Sequence, residues 1–536
     1  MRITNKVIQN NSLSNINTNK LLQDKLSQQM STEKKVNRPS DDPIVAIRAL
    51  RLRTNVNQVT QYYEKNVPDA QSWLEVTESA LSSMSEVVTD MIAQCTKGSN
   101  EDLTTSDRET ILTALKALRD EVYSTGNADY AGRFIFTGYR TDTALTFGKA
   151  MEQTYSITEQ VSNSKIDSIT YVKTGQLPEL NEDNATDPTK EFVNIVEQDV
   201  TQSDIYRLRL SYDNIAGWDE TNGQCNVGIQ VWDLAQNDYV DIRDVTGGLD
   251  GAGAVANYEQ ASIYESPSPY EKMANKEYGD NAIVLIKETG ELLLGENVYK
   301  KLMEQYDDAK TTHNEGEIRL TYEKSNWESS DLRPEHYFAC TSNGVNYNSD
   351  YLKGISDEDK QAIEYDVGLN QTIRVNTTAD EVFTHDISRD VEDMIKSMED
   401  TVAMQKQVEK LEEMIEENED PDRTPILEKQ LAAAEKAYTL LNEKTQKMFE
   451  KGISKMQGHL DAVNFAVTEN GTRGQKLELI SNRLMSQKTN FETLRSENED
   501  IDITEVAIKL SSAELTYSSA LMATGKVLQN NLMNFI

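Results

Sequence analysis

The stretch VPDAQSWLEVTESALSSMSEVVTDMIAQC, residues 67–95, decides the fold class. Residues Val67, Leu74, Leu81, Val88 and Cys95 recur every seven positions along it. A second column, offset by three positions, consists of Tyr63, Ala70, Thr77, Met84 and Met91. Two columns with a seven-residue period are typical of a long helix that packs side by side with another helix. The sequence therefore predicts a long helix with a buried seam.

A similar pattern occurs about 400 residues later in the chain. One column consists of Leu477, Leu484 and Phe491, and the other of Ile480, Gln487, Leu494 and Ile501. We expect this segment to supply the partner of the first seam, so that both parts of the chain form a long rod of antiparallel helices. A helical hairpin, folding back between Pro421 and Pro425, is expected at about 400–445 because proline interrupts helices.

A last helix is predicted after residues 502–504, whose sequence DIT is a favourable helix start. The side chains expected to pack it in an assembly are Val506, Leu510, Ala513, Tyr517, Leu521, Leu528 and Leu532. Serine and alanine residues between them would allow another helix to approach closely. Such isolated terminal helices bury little surface alone, so we expect them to become ordered on assembly.

Apolar and polar residues alternate in the middle of the chain, as in half-buried strands. The pattern is clear at 206–212, 226–232, 317–323 and 372–376, with a favoured turn pair, Asn222-Gly223, between the first two. The predicted fold is therefore α+β: a helical rod made from both chain ends, with a β-rich domain inserted. The expected domains are 1–60 with 502–536, 61–144 with 391–501, and 145–390.

Composition argues against several functional classes. The 536 residues include 54 Lys/Arg and 90 Asp/Glu, a net charge of −36, whereas nucleic-acid binders usually carry a basic surface. There is no apolar run of about 18 residues that would span a membrane. The amino-terminal residues also lack the apolar core of a cleaved signal peptide. We therefore expect neither nucleic-acid binding nor a membrane span.

No catalytic or metal-binding motif is apparent. The four histidines, His313, His336, His385 and His459, are too far apart in sequence for a helical two-histidine metal site. The glycine-rich stretch at 247–254 lacks the spacing of a nucleotide-binding loop, and no G-x-S-x-G sequence occurs. We expect no enzyme, metal or cofactor. A hydrolase hidden in the β-rich insert is the competing hypothesis, although no group of residues supports it.

One short motif has two interpretations. Two carboxylates lie between two prolines in the set Pro39, Ser40, Asp41, Asp42 and Pro43. Pro43 suits the first position of a helix, and Asp42 before it can accept hydrogen bonds from the free amides. A metal site would need further ligands that the segment does not offer. We therefore interpret the motif as a turn followed by a helix cap.

Five segments resemble a known family when taken in order along the chain. They are MRIT (1–4), NRPSDDPIVAIRAL (37–50), YAGRFIFTGYRTDTALTF (130–147), GTRGQKLELISNRL (471–484), and the final stretch 502–536 that begins DITEVAIKL. Together they are similar to the flagellar hook-associated protein 3 family, hook–filament junction proteins of the flagellin-like superfamily. The resemblance covers about the first 150 and the last 90 residues.

The resemblance implies a structural subunit of the extracellular bacterial flagellum. The implied partners are hook-associated protein 1, flagellin, other copies of the chain in a ring, and an export chaperone before secretion. Export would use the flagellar type III route without a cleaved signal peptide. The alternative is a divergent flagellin that forms the filament itself. Flagellins usually have AGDDA where this chain has PSDDP, which favours the junction protein.

Overall fold

The computed structural model describes residues 5–529 except 101, 175–196, 220–223, 234, 237, 252, 307–317, 354–359, 420 and 422. The predicted features that fall outside these residues are the MRIT motif, the Asn222-Gly223 turn, His313 and Leu532, and the side chain of Leu528 is not described either. Among the described residues, no helix is both long enough and apolar enough to cross a membrane.

Long helices dominate both ends of the chain. In order, the described helices are α1 (Asn5–Thr32), α2 (Pro43–Gln61), α3 (Val67–Gly98), α4 (Thr105–Thr125), α5 (Pro269–Ala274), α6 (Glu296–Tyr306), α7 (Ala379–Val382), α8 (His385–Glu416), α9 (Thr424–Glu499) and α10 (Ile503–Gln529). Helix α8 ends at Glu416 and α9 begins at Thr424, within the segment of about 400–445 for which a helical hairpin is predicted.

The strands lie between α4 and α7. They are β1 (Asp129–Tyr130), β2 (Arg133–Phe134), β3 (Met151–Val161), β4 (Ile166–Lys173), β5 (Thr201–Arg209), β6 (Trp218–Asp219), β7 (Gln224–Cys225), β8 (Gly228–Asp233), β9 (Asp238–Asp241), β10 (Asn257–Ala261), β11 (Ala282–Ile286), β12 (Glu291–Leu294), β13 (Ile318–Trp327), β14 (Ala339–Ser342), β15 (Val345–Tyr347), β16 (Glu364–Gly368) and β17 (Gln371–Arg374). The predicted α+β class, with helical ends and a β-rich region between them in sequence, is confirmed.

Two larger sheets organise these strands. One has the order β10-β11-β12-β5-β4 and the other β15-β14-β3-β13-β8-β9. Neighbouring strands are antiparallel except β10 and β11, which are parallel. The alternating segments around 206–212 and 226–232 form β5 and β8, but these strands lie in different sheets. Alternation therefore identified the strands but not their partners.

Helix α3 follows α2 through a π-helical turn at Tyr62–Asn66, where the Val67 amide donates to the Tyr62 carbonyl five residues earlier. Pro68 follows directly, and its ring would clash with the carbonyl four residues before it in a regular helix. The wider turn accommodates the proline without ending the helix. The seam can therefore continue past Pro68.

The chain separates into two compact units. The first comprises the described parts of Met1–Gln71, Tyr365–Ile373 and Gly474–Ile536; the second comprises Ser72–Glu364 and Arg374–Arg473. The predicted division into 1–60 with 502–536, 61–144 with 391–501, and 145–390 stays a prediction.

In the second unit, α3 packs against the middle of α9. The Asn470 side chain donates to the Leu74 carbonyl over 3.0 Å, and Ser85 bonds to Asn464 over 3.4 Å. Leu74, Leu81 and Val88 are buried in this unit. Helix α4 meets α8 and α9 through polar pairs, for example the Arg108–Asn442 hydrogen bond of 2.8 Å. The seam of α3 within this unit therefore faces residues 449–470 rather than the column at 477–491.

The end of α3 provides a test of this packing. A Cβ at Gly98 would lie 2.4 Å from the buried ring of Phe449. We expect Gly98→Ala to lower the free energy of unfolding by about 1–3 kcal/mol, since a packed core resists extra volume. Urea unfolding followed by circular dichroism measures the change.

Gly458→Ala is the matched control in α9. A Cβ there has nothing within 4 Å, so the better helix propensity of alanine should stabilise the protein by up to about 1 kcal/mol. Equal effects of the two substitutions would contradict the packing of α3 against α9.

Candidate assembly surface

Backbone hydrogen bonds join the two ends of the chain within the first unit. The Lys35 amide donates to the Glu499 carbonyl over 2.7 Å, and the Ile501 amide donates to the Glu33 carbonyl over 3.1 Å. These bonds connect the link between α1 and α2 with the link between α9 and α10. Residues more than 460 positions apart in sequence are thus held at one point, which we call the chain-end joint.

Charged side chains reinforce the chain-end joint. Arg53 donates from Nε and Nη2 to the two carboxylate oxygens of Glu499, at 2.7 Å each. Glu499 is only 6% exposed, and a bidentate pair of this kind satisfies both of its oxygens. The hydrogen bond to Glu499 raises the pKa of Arg53. Lys34 pairs with Asp500 beside it.

The Pro-Ser-Asp-Asp-Pro motif lies between α1 and α2. Asp42 is the N-cap of α2: its Oδ1 accepts from the Ile44 amide at 3.0 Å and from the Val45 amide at 3.1 Å. Asp41 accepts from the Arg38 amide at 3.0 Å and so closes the preceding turn. Pro39, Ser40 and Pro43 are exposed. Both carboxylates therefore accept hydrogen bonds from backbone amides, Asp42 at the start of α2 and Asp41 in the turn before it.

Helices α1 and α10 pack on each other beside the chain-end joint. Their buried contact consists of Leu26, Val506 and Ala513, with Ile501 and Leu510 partly buried against it. Tyr517 is partly buried, and Leu521 is 45% exposed. The predicted packing residues of α10 are thus divided between this contact and the open side of the helix.

Many large apolar side chains of α1, α2, α10 and the end of α9 stay exposed in the single chain. We call this set the apolar surface of the first unit: Leu13, Leu21, Leu22, Ile44, Ile47, Leu50, Leu494, Ile503, Ile508, Leu515, Leu521 and Met522. Exposure reaches 73% at Ile44 and 70% at Leu515. Monomeric proteins seldom leave so many large apolar side chains open on neighbouring helices, and such surfaces mark interaction sites.

The sequence analysis missed the part of this surface that lies on α2. Ile44, Ile47 and Leu50 recur at intervals of three residues, while Val56 and Val59 on the same helix are buried. That spacing is a helical face, so the signal was present in the sequence.

The remaining residues of the predicted seam lie in the first unit, at the start of α3 and along the last part of α9. Val67, Leu477 and Leu484 are buried and Phe491 is partly buried. The hairpin of β16 and β17 also reaches this unit, where the Asn66 side chain donates to the Asp366 carbonyl over 2.7 Å. No sequence pattern indicated that a hairpin from the insert would lie there.

The described residues offer little reactive chemistry. No group of three or more His, Cys, Asp or Glu side chains among them could hold a metal ion. Cys95 and Cys340 are buried free thiols, and burial raises the pKa of each to about 12. Thiols with such a pKa stay protonated at neutral pH and are poor nucleophiles.

Residues 3–141 match the model of the bacterial flagellin N-terminal helical region. Flagellar hook-associated protein 3 of Salmonella typhimurium is 32% identical over 170 residues, 31% of this chain and 53% of that protein. The protein of the same name from Escherichia coli is 35% identical over 145 residues, 26% of this chain and 45% of that protein. The chain is similar to flagellar hook-associated protein 3 over part of its length.

The similarity is partial. The chain spans about half the length of these two curated relatives of hook-associated protein 3. A flagellin of Clostridium tyrobutyricum is also similar, with 28% identity over 122 residues, 23% of this chain and 32% of that flagellin. The matched flagellin region contains α1, α2 and α3, which carry much of the geometry described above.

The cap at Asp42 gives a quantitative prediction. We expect Asp42→Ala to lower the free energy of unfolding by about 1 kcal/mol, because two amides of α2 lose their acceptor. Urea unfolding of the purified chain measures the loss.

Asp42→Asn is the matched control, since asparagine caps helices as well as aspartate does. It should stay close to the parent chain. A loss of the whole fold in either variant, or equal losses in both, would show that Asp42 does more than cap α2.

Proposed function

We propose that the chain is a structural subunit of the hook–filament junction, of the hook-associated protein 3 type. The observation that carries the proposal is the apolar surface of the first unit, which lies on helices of both chain ends. Two of its helices, α1 and α2, fall in the segment that matches the flagellin N-terminal region. In an assembly, neighbouring subunits would cover these exposed apolar side chains, which a monomer would bury in its own core.

We propose that this surface serves an open or ring-like assembly. In such an assembly one copy offers one face to a neighbour and receives a different one. Contacts between unlike faces generate rings or helical filaments, whereas contacts between like faces close a dimer. A junction ring between two zones of an axial structure would be built from contacts between unlike faces.

The proposed partners follow from the junction role. Hook-associated protein 1 would lie on one side of the ring and flagellin on the other, with further copies of the chain beside it. An export chaperone would hold the chain before secretion, which we propose to occur by the flagellar type III route to the extracellular flagellum. We propose no enzymatic activity and no cofactor.

A filament subunit is the second candidate function. The similarity to a flagellin, and the flagellin model itself, favour it. Both hook-associated protein 3 relatives are more similar to the chain over longer stretches, which favours the junction. The two roles differ in copy number, because a filament contains far more subunits than a junction ring.

The deciding experiment is deletion of the gene, followed by electron microscopy of the cells and assay of flagellin in the medium. We expect hooks without filaments and flagellin shed into the medium. Cells that keep hooks but have no flagellin-like protein anywhere would identify the chain as the filament subunit. Normal filaments would contradict both functions.

Complementation tests which part of the chain assembles. The full chain should restore filaments, whereas a chain lacking residues 506–536 should be secreted as a folded protein but should not restore them. The deletion removes Val506 and Ala513 from the contact with α1, together with exposed Ile508 and Leu515. Filament growth on the truncated chain would contradict the assignment of α10 to subunit packing.

A further inference from the structure

Helix α2 exposes a short stripe that combines apolar and basic side chains. Its members are Ile44, Ile47, Arg48 and Arg51, at positions i, i+3, i+4 and i+7, which share one face of a helix. Ile44 and Ile47 are 73% and 54% exposed, and both arginines are exposed as well. At a rise of 1.5 Å per residue, the stripe is about 10 Å long. We call these four residues the α2 stripe.

The positive charge of the α2 stripe is not compensated nearby. Helix α2, Pro43–Gln61, contains three arginines and no Asp or Glu. Arg53 pairs with Glu499, whereas Arg48 and Arg51 form no hydrogen bond or ion pair within the described part of the chain. The planar donors of arginine suit ion pairs with carboxylates at interfaces. The α2 stripe is therefore complementary to an acidic surface that also carries apolar side chains.

An open groove of about 600 Å³ lies in the second unit, between α3 and the carboxyl end of α4. We call it the α3–α4 groove. Its α3 wall runs from Ser72 to Ser83, about 16 Å at the helical rise, which is longer than the α2 stripe. Most of its lining side chains are small, so that another helix can approach closely: Ser72, Ser79, Ala80, Ser83, Ser124 and Ala128.

The charged residues that line the α3–α4 groove are both acidic, Glu75 and Glu121. Helix α3 as a whole carries five Asp/Glu and one Lys, a net charge of 1 − 5 = −4, whereas the three arginines give α2 a charge of +3. Val76, Ala80 and Ala128 add apolar surface to the same lining. The groove therefore has the charge and the mixed polarity that the α2 stripe requires.

We propose that the α2 stripe of one copy docks in the α3–α4 groove of a neighbouring copy, with Arg48 and Arg51 facing Glu75 and Glu121. The inference rests on the subunit role proposed above and names the two faces that meet. Because these faces are unlike, the contact passes from copy to copy, as rings and helical arrays require. Opposite charges across such a contact also select the partner and its register.

Cross-linking in isolated flagella tests the docking. A strain whose own gene is deleted carries the full chain with both Ile47→Cys and Ser79→Cys, which leave the arginines and glutamates in place. A bismaleimide with a short spacer couples two thiols that lie close together, because each thiolate adds to one maleimide ring and no oxidant is needed. We expect a product with twice the mass of the chain on an immunoblot.

The two single cysteine variants are controls for reaction through the native thiols, of which Cys95 and Cys340 are buried. Asn57→Cys combined with Ser79→Cys is the matched control. Asn57 is also exposed on α2, but at about 100° per residue it lies on a different face from the α2 stripe. We expect this pair to give no more dimer than the single variants.

Charge reversal provides a second readout in the same strain. Arg51→Glu should lower the number of filaments about tenfold or more, because a like charge then faces the acidic groove. Adding Glu121→Arg should restore filaments, since it places an opposite charge in the groove of the next copy. Circular dichroism and secretion of each variant establish that its fold and export are kept.

The outcomes separate this inference from the proposed function. Absence of the parent chain from isolated flagella would contradict the proposed function itself. If the chain is present, the docking is overturned by a lack of dimer with Ile47→Cys and Ser79→Cys, or by normal filament numbers with Arg51→Glu. A product of Ile47→Cys with a different protein would also overturn it, because the α2 stripe would then face another partner.

Discussion

The bidentate pair of Arg53 and Glu499 is the interaction on which the first unit depends. Glu499 ends α9 and is 6% exposed, so its charge needs a partner at close range. Arg53 supplies that partner from α2, while the Lys35 amide binds the Glu499 carbonyl. Because these groups come from opposite ends of the sequence, the chain must be complete before the terminal helices can take their places.

This constraint links the fold to the proposed function. Once the chain-end joint is formed, α1 and α10 bury only a small contact between them, and the apolar surface of the first unit remains open. The two larger sheets and helices α4 to α8 belong to the second unit. Burial of apolar surface can therefore favour assembly through the first unit without a change in the second.

Local sequence features predicted the positions of several helices and strands. They did not predict which of these elements pack together over long distances in sequence. Heptad columns and the Asp42 cap depend on neighbours within a few residues, and they located α3 and the start of α2. Similar columns occur at 67–95 and 477–501, so periodicity alone could not tell which segment of α9 faces α3. The separation of β5 from β8 and the position of the β16–β17 hairpin depend likewise on contacts distant in sequence.

Filament counts by electron microscopy, in a strain whose own gene is deleted, test the central claim most directly. The strain would carry the parent chain, Arg53→Glu, Glu499→Arg, or both substitutions together. Each single reversal places like charges at the chain-end joint, whereas the double reversal restores an opposite pair. We predict that filaments are lost in both single variants, with secretion retained, and are recovered in the double variant. Normal filament numbers in the single variants would contradict the claim that assembly requires the joined chain ends.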